Sequence, residues 1–212
     1  MSLQFKTEEE AASDLYSRLS GHFEIFPEVT VQHATFPNLK IRPDFVVIPK
    51  DEKFCDLALA FEVKSMKDAD PPVMAQAFKQ ATDYVLSRIV KDERRADGLN
   101  AHVGKPIVAC FIYPAPEWGP GDVSHLTDSF ERENQKSDNL MHTGMMHLAR
   151  YFGVGRGTLF ENRRQETELG LYFGPNDVWK SSKGFSNNAR NLLVGKRQFG
   201  STRKNIADLL GI

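Results

Sequence analysis

The chain has 212 residues, 41% hydrophobic and 26% charged, with a formal net charge of −1. This ordinary globular usage excludes a wholly disordered chain and supplies material for a sizeable core. The longest unbroken apolar run, Ile107 to Tyr113, is far shorter than the roughly 20 residues that cross a bilayer, and no basic-then-apolar leader opens the chain. We therefore expect no membrane partner and a cytoplasmic location. The two cysteines, Cys55 and Cys110, lack Cys-x-x-Cys spacing, which argues against a disulfide scaffold or a cysteine zinc site. Both lie in apolar runs and read as buried thiols.

In chain order, the first predicted element is a helix from Thr7 to Ser20. Thr7 can cap it, Glu8 to Glu10 suit the positive end of its dipole, and Gly21 follows as a stop. Ala11, Ala12, Leu15 and Leu19 form its apolar stripe, and Glu8 lies at the end of that stripe. Three strands follow: Phe23 to Val31, interrupted by Pro27; Pro43 to Ile48; and Leu57 to Lys64. A helix is then predicted from Pro72 to Val90, with Met74, Phe78, Ala81, Val85 and Ile89 on one buried stripe and Gln76, Gln80, Asp83 and Tyr84 on another face. After a polar connection over 91–105, Pro106 to Tyr113 reads as a central strand covered on both sides. PAPEWGPGD, from Pro114 to Asp122, is the best loop candidate. A helical region is expected within His125–Tyr151. Short strands are expected at Thr158 to Phe160 and Leu169 to Phe173, and the tail reads as loop plus a short final helix. Three consecutive strands before a covering helix predict an α/β fold with a mixed sheet.

The chemistry concentrates on two of these strands. In Pro43–Ile48, Asp44 shares a face with Val46 and Ile48; in Leu57–Lys64, Glu62 shares a face with Lys64. If the strands pair, two carboxylates and an ammonium group meet at one edge of the sheet. Such groups on apolar strands are costly unless paired or bound to a metal. Oxygen donors of this kind suit Mg²⁺, and a lysine can hold a metal-associated water for attack on phosphorus. A structural Glu62–Lys64 ion pair is the alternative. The six histidines show no metal-ligand spacing, and no serine, histidine and acid set stands out for acyl transfer.

Pro43-Asp44, Glu62-Val63-Lys64 and Gln80-Ala-Thr-Asp-Tyr84 carry a resemblance. With 17 residues between the two acids, they resemble the PD-(D/E)xK nuclease superfamily, in its RecB-type branch with Q-x-x-x-Y. The resemblance covers roughly residues 5–115. It implies a restriction-endonuclease-like mixed central sheet flanked by helices, with residues 1–115 as the nuclease core. Residues 116–212 would then be a C-terminal α+β extension packing on that core. It also implies Mg²⁺, with Mn²⁺ as a substitute, held by Asp44, Glu62 and the Val63 carbonyl. Lys64 would orient or activate the attacking water. Gln80 would hold the active-site strand or the water, and Tyr84 would contact a phosphate. An acid on the first helix would join the metal site: Glu8 by its stripe position, with Glu9, Glu10 and Asp14 competing and Glu28 on the first strand as a further candidate.

The charge distribution fits such a reading. Residues 1–100 hold 13 Lys+Arg and 17 Asp+Glu, residues 101–212 hold 14 and 11, and no acid occurs between Val178 and Ala207. That basic tail, 178–207, carries Lys180, Lys183, Arg190, Lys196, Arg197, Arg203 and Lys204, which could neutralise phosphates. Phe185 and Phe199 could stack on bases. The sequence reading is thus a Mg²⁺-dependent deoxyribonuclease whose partner is DNA, with RNA left open, working as a homo-oligomer or within a larger nuclease complex. The alternative is a catalytically inactive nucleic-acid-binding or assembly module on the same fold.

Overall fold

A computed structural model describes residues 5, 7–64, 71–114, 150–162, 164–173 and 176–194. Helix α1 spans Glu8–Leu19 because Thr7 caps it, its hydroxyl accepting the Glu10 N–H at 3.1 Å. Ala11, Leu15 and Leu19 recur at every fourth position and are fully buried. The chain continues through β1 (Phe23–Pro27), β2 (Val31–His33), β3 (Lys40–Ile41), β4 (Phe45–Pro49) and β5 (Ala58–Val63). Then come α2 (Pro71–Val85), β6 (Ser87–Ile89) and β7 (Ile107–Tyr113). The last elements are β8 (Val154–Glu161), β9 (Thr167–Phe173), β10 (Asn176–Lys180), β11 (Gly184–Phe185) and α3 (Ala189–Val194).

Eight strands form one mixed sheet in the order β1-β4-β5-β7-β8-β9-β10-β11, while β3-β2-β6 form a second, antiparallel sheet. In the large sheet β7 lies between β5 and β8 and runs parallel to both. This accounts for its near-continuous apolar sequence. The alternation of strand side chains divides the core in two. Phe45, Val47, Leu59, Phe61, Phe111 and Tyr113 pack with α1 and α3 on one face. Val46, Ile48, Ala58, Ala60, Cys110 and Ile112 pack with Ala77, Phe78, Ala81 and Tyr84 of α2 on the other. Phe111 also explains Gly155 opposite it, since an added Cβ there would lie 2.6 Å from the Phe111 ring.

Several expectations are corrected. The stretch Phe23–Val31 is two strands in two sheets, turned by Glu28 at φ 48°, whose N–H donates to the Asp44 carbonyl at 2.9 Å. The helix predicted to Val90 ends at Val85, where the Ser87 hydroxyl donates to the Asp83 carbonyl at 2.7 Å and Ser87–Ile89 turns into a strand against β2. Tyr84 is buried with the α2 stripe, not on its polar face. Cys55 is exposed, its thiol on the Glu52 carbonyl, whereas Cys110 is buried. The two short C-terminal strands are full strands, and β8–β11 continue the large sheet edge to edge. The side chain of Met74, the loop from 115 to 122 and the helical region of 125–149 lie outside the described residues; Arg150–Phe152 form a 3₁₀ turn. No helix among the described residues is long and apolar enough to cross a membrane.

Candidate active site

Antiparallel pairing of β4 with β5 places Phe45 opposite Phe61. One step further along that register sets Asp44 opposite Glu62, and the next sets Pro43 opposite Val63. A proline has no N–H to offer the Val63 carbonyl, so the ladder ends there. The Val63 N–H instead donates to Asp44 Oδ2 at 2.6 Å. On the other flank the Lys64 N–H still donates to the Tyr113 carbonyl at 2.8 Å, so the end of β5 stays tied to β7. Sequence alone thus makes a strand end that is held on one side and frayed on the other, with a carboxylate in place of a backbone acceptor.

Five side chains converge on this end. Glu62 is 2% exposed. Its Oε1 lies 2.5 Å from the Lys64 ammonium, which is also 3.8 Å from Glu8 Oε1. Glu8 reaches in from the first turn of α1, so the acid singled out by its stripe position is the one that arrives. Tyr84 comes down from α2; its hydroxyl donates to the Arg42 carbonyl at 3.2 Å and also faces Glu62. It is buried and backs Glu62. Gln80, one turn earlier on α2, is half-buried.

The electrostatics follow from burial. Desolvation raises the Glu62 carboxyl above its ordinary range, with Asp44 adding to the rise and Lys64 and Tyr84 opposing it. Asp44 is likewise raised by burial, against the Val63 N–H and Lys64, with Glu8 and Glu28 adding to the rise. For Lys64, burial acts downward, but the Glu62 hydrogen bond and the charges of Glu62, Glu8 and Asp44 outweigh it, so its pKa is raised. Burial and the Glu62 charge push the Tyr84 phenol up. Three acids therefore share one ammonium group. A hard divalent cation on oxygen donors fits that excess of negative charge. Among the described residues no group of three His, Cys, Asp or Glu side chains is arranged to hold a metal ion. The oxygens gathered at this strand end are those of Asp44 and Glu62, with Glu8 beyond Lys64.

Of the other acids considered, Glu28 also acts on Asp44; the rest lie elsewhere. Glu9 and Glu10 are exposed on α1, and Asp14 is engaged on the opposite face of the sheet by Arg18 at 2.7 Å and by the Tyr113 hydroxyl at 2.5 Å. Glu28 is 3.8 Å from Arg42. Of the three basic tail residues among those described, two are engaged. Lys180 pairs with Asp177 at 3.3 Å, and Arg190 forms a fork on Asp56 at 2.6 and 3.1 Å. Phe185 is stacked on Phe54 with ring centroids 4.0 Å apart, so it is not free to stack on a base. Phe54 and Asp56 belong to the turn before β5, six residues or about 20 Å along the strand from Glu62. Lys183 is exposed in the turn after β10, and Lys196, Arg197, Phe199, Arg203 and Lys204 lie outside the described residues.

Cys110 is the buried thiol that its apolar run predicts, pushed up by burial and by the Glu62 and Asp44 charges; its nearness to those acids is what the sequence did not show. The sequence reading also missed the Asp14–Arg18–Tyr113 cluster. The four-residue spacing of Asp14 and Arg18, in phase with Leu15 and Leu19, was its signal. No protein-family model matches the chain, and neither does any curated protein or solved structure.

Proposed function

We propose that the chain is a divalent-metal-dependent nuclease that hydrolyses phosphodiester bonds of DNA, on a restriction-endonuclease-like variant of the mixed α/β sheet. The observation that carries this is the frayed end of β5, where Asp44 and Glu62 stand opposite each other with Lys64 between them and Glu8. Mg²⁺, or Mn²⁺ in its place, would be held by Asp44, Glu62 and the Val63 carbonyl. When bound, it supplies Lewis-acid stabilisation of phosphate charge and a lowered pKa for water. Lys64 keeps its proton in this acidic setting, so its part is to donate hydrogen bonds that aim a water or a phosphate oxygen. Asp44, held by the Val63 N–H, fixes the spacing of the two strand ends. Tyr84 packs behind Glu62 and sets its rotamer, and Gln80 stands one turn away to hold the strand or the water.

The Glu62–Lys64 ion pair is also what a catalytically inactive nucleic-acid-binding module on this fold would keep. Cleavage assays on linear, circular, branched and single-stranded DNA with Mg²⁺ or Mn²⁺ separate the two. The nuclease reading expects cleavage that chelation abolishes and that Asp44→Ala or Glu62→Ala removes without unfolding the chain. Metal-dependent cleavage retained in purified Glu62→Ala, or binding without cleavage in every condition, would refute it.

A further inference from the structure

The described part of the basic tail contacts the end of β5 away from the acids, and another basic surface lies on the small sheet. Gln32 on β2 is paired with Lys40 on β3 and with Arg88 on β6, so these three side chains line one face in a row. Their neighbours Val31 and Ile89 are fully buried on the other face. Lys40 and Arg88 are exposed, and neither has a side-chain hydrogen bond or ion pair among the described residues. From Val29 to Pro43 and from Tyr84 to Lys91 there is no acid, while Lys40, Arg42, Arg88 and Lys91 are basic. In a chain whose first hundred residues are otherwise acidic, this is a local reversal of sign.

The same sheet presents an aromatic ring. The turn after β2 is tied at both ends: Ala34 N–H donates to the Leu86 carbonyl at 2.7 Å and Leu39 N–H to the Phe36 carbonyl at 2.8 Å. The imidazole of buried His33 accepts the Thr35 and Phe36 N–H groups at 3.2 Å each, and the Gln32 amide donates to the Pro37 carbonyl at 2.8 Å. Phe36 stands on this turn 62% exposed, its inner edge against His33. A large apolar ring held out to solvent by a fixed turn, at the end of a sheet whose outer face carries exposed cations, can stack on an unstacked base. From Lys40 the chain needs only four residues, about 13 Å, to reach Asp44.

We infer that the outer face of β3-β2-β6 is a docking track for single-stranded DNA, with Lys40 and Arg88 on phosphates and Phe36 stacked on a base. The track rests on the nuclease reading for its purpose, since it would deliver a strand along Arg42 to the acids. It is a separate surface from the acids and can fail separately.

The test is binding of fluorescein-labelled oligothymidylate to the full chain in EDTA, read by anisotropy over a salt series. Lys40→Glu with Arg88→Glu is expected to weaken binding and to flatten the slope of log K against log salt by about 1.4, at ~0.7 per lost phosphate contact. Phe36→Ala is expected to weaken it about tenfold, and Phe36→Trp to restore it, because every base has a face to stack. Lys180→Glu with Lys183→Glu is expected to change nothing. Unchanged binding in the first two variants, loss only in the tail variant, or tighter binding of a duplex or of the matching RNA would each overturn the track. Wild-type cleavage with binding insensitive to Lys40, Arg88 and Phe36 would remove the track and leave the nuclease. Binding that needs those residues, without cleavage under any divalent ion, would remove the nuclease and leave a single-strand-binding module.

Discussion

Two polar clusters are embedded in the same large sheet, one on each face, and both are backed by a buried tyrosine. On the α1 face, Asp14 is held by Arg18 and Tyr113, and Arg18 reaches on to the Thr167 carbonyl at 3.0 Å. One acid, one base and one phenol balance there, and the result fastens α1 to β7 and β9. At the end of β5 on the α2 face, Asp44 and Glu62, with Glu8 reaching in from α1, surround Lys64 alone. Both phenols are pushed up by burial, reinforced by a neighbouring carboxylate in each case. The similarity shows that an ion pair on a strand says little by itself. What distinguishes the clusters is the unmatched negative charge, which a structural pair has no need of and a cation site does.

Breaking this comparison starts with the largest effect. Lys64→Met should lower metal-dependent cleavage by the folded fraction by roughly 10²–10³-fold, the usual loss for a preorganised hydrogen-bond donor, and should also lower the metal-free melting temperature, because Glu62 is left buried without its cation; single-turnover kinetics and a thermal melt measure both. Full activity in this variant would place the chemistry elsewhere. Asp14→Asn should lower stability alone. Weakening charge-assisted hydrogen bonds costs about 2 kcal/mol, which lowers the melting temperature by roughly 4–8 °C in a chain of this size, with cleavage by the folded fraction intact.

Glu62→Gln sharpens the contrast. It removes one of the acids crowding Lys64 while keeping shape and hydrogen bonding, so metal-free stability should stay level or rise by about 1 kcal/mol. A clear drop in a urea melt would mean that the cluster is as structural as its counterpart. The smallest effect belongs to Asp56, whose carboxyl is held below its usual range by hydrogen bonds from Arg190. A lowered folded-state pKa adds stability above the unfolded value, lost as pH falls through the folded one. Because the pair is exposed, Arg190→Ala should cost little at neutral pH and nothing at the acid end of that window. A gap that widened on acidification would contradict the linkage.

Much of the site was legible because a strand has period two. Once β4 and β5 pair, alternation alone puts Asp44, Glu62 and Lys64 on one side. The proline before Asp44, quoted only as part of a motif, turns out to end the ladder. Helix α1 was legible from its cap and stripe. Tyr84 was not, because the buried arc of α2 runs through Ala77, Phe78, Ala81 and Tyr84, one position off the phase of Phe78, Ala81 and Val85. Ile89 fits the helical stripe and the strand equally well, so periodicity could not find the end of α2. Phe185 on Phe54 and Arg190 on Asp56 join residues more than a hundred positions apart, and no local pattern encodes such meetings. The small sheet was invisible for a related reason: its three strands have two or three residues each, too few to show alternation.

The position of β7 has a consequence for synthesis. Its far-side partner β8 begins at Val154, 41 residues after Tyr113. At 5–20 residues per second, the nascent chain carries an apolar parallel strand with one unsatisfied flank for roughly 2–8 s. The acids and their lysine are all translated before that flank can close, so the strand that carries them waits beside an open edge while the remainder is still being made.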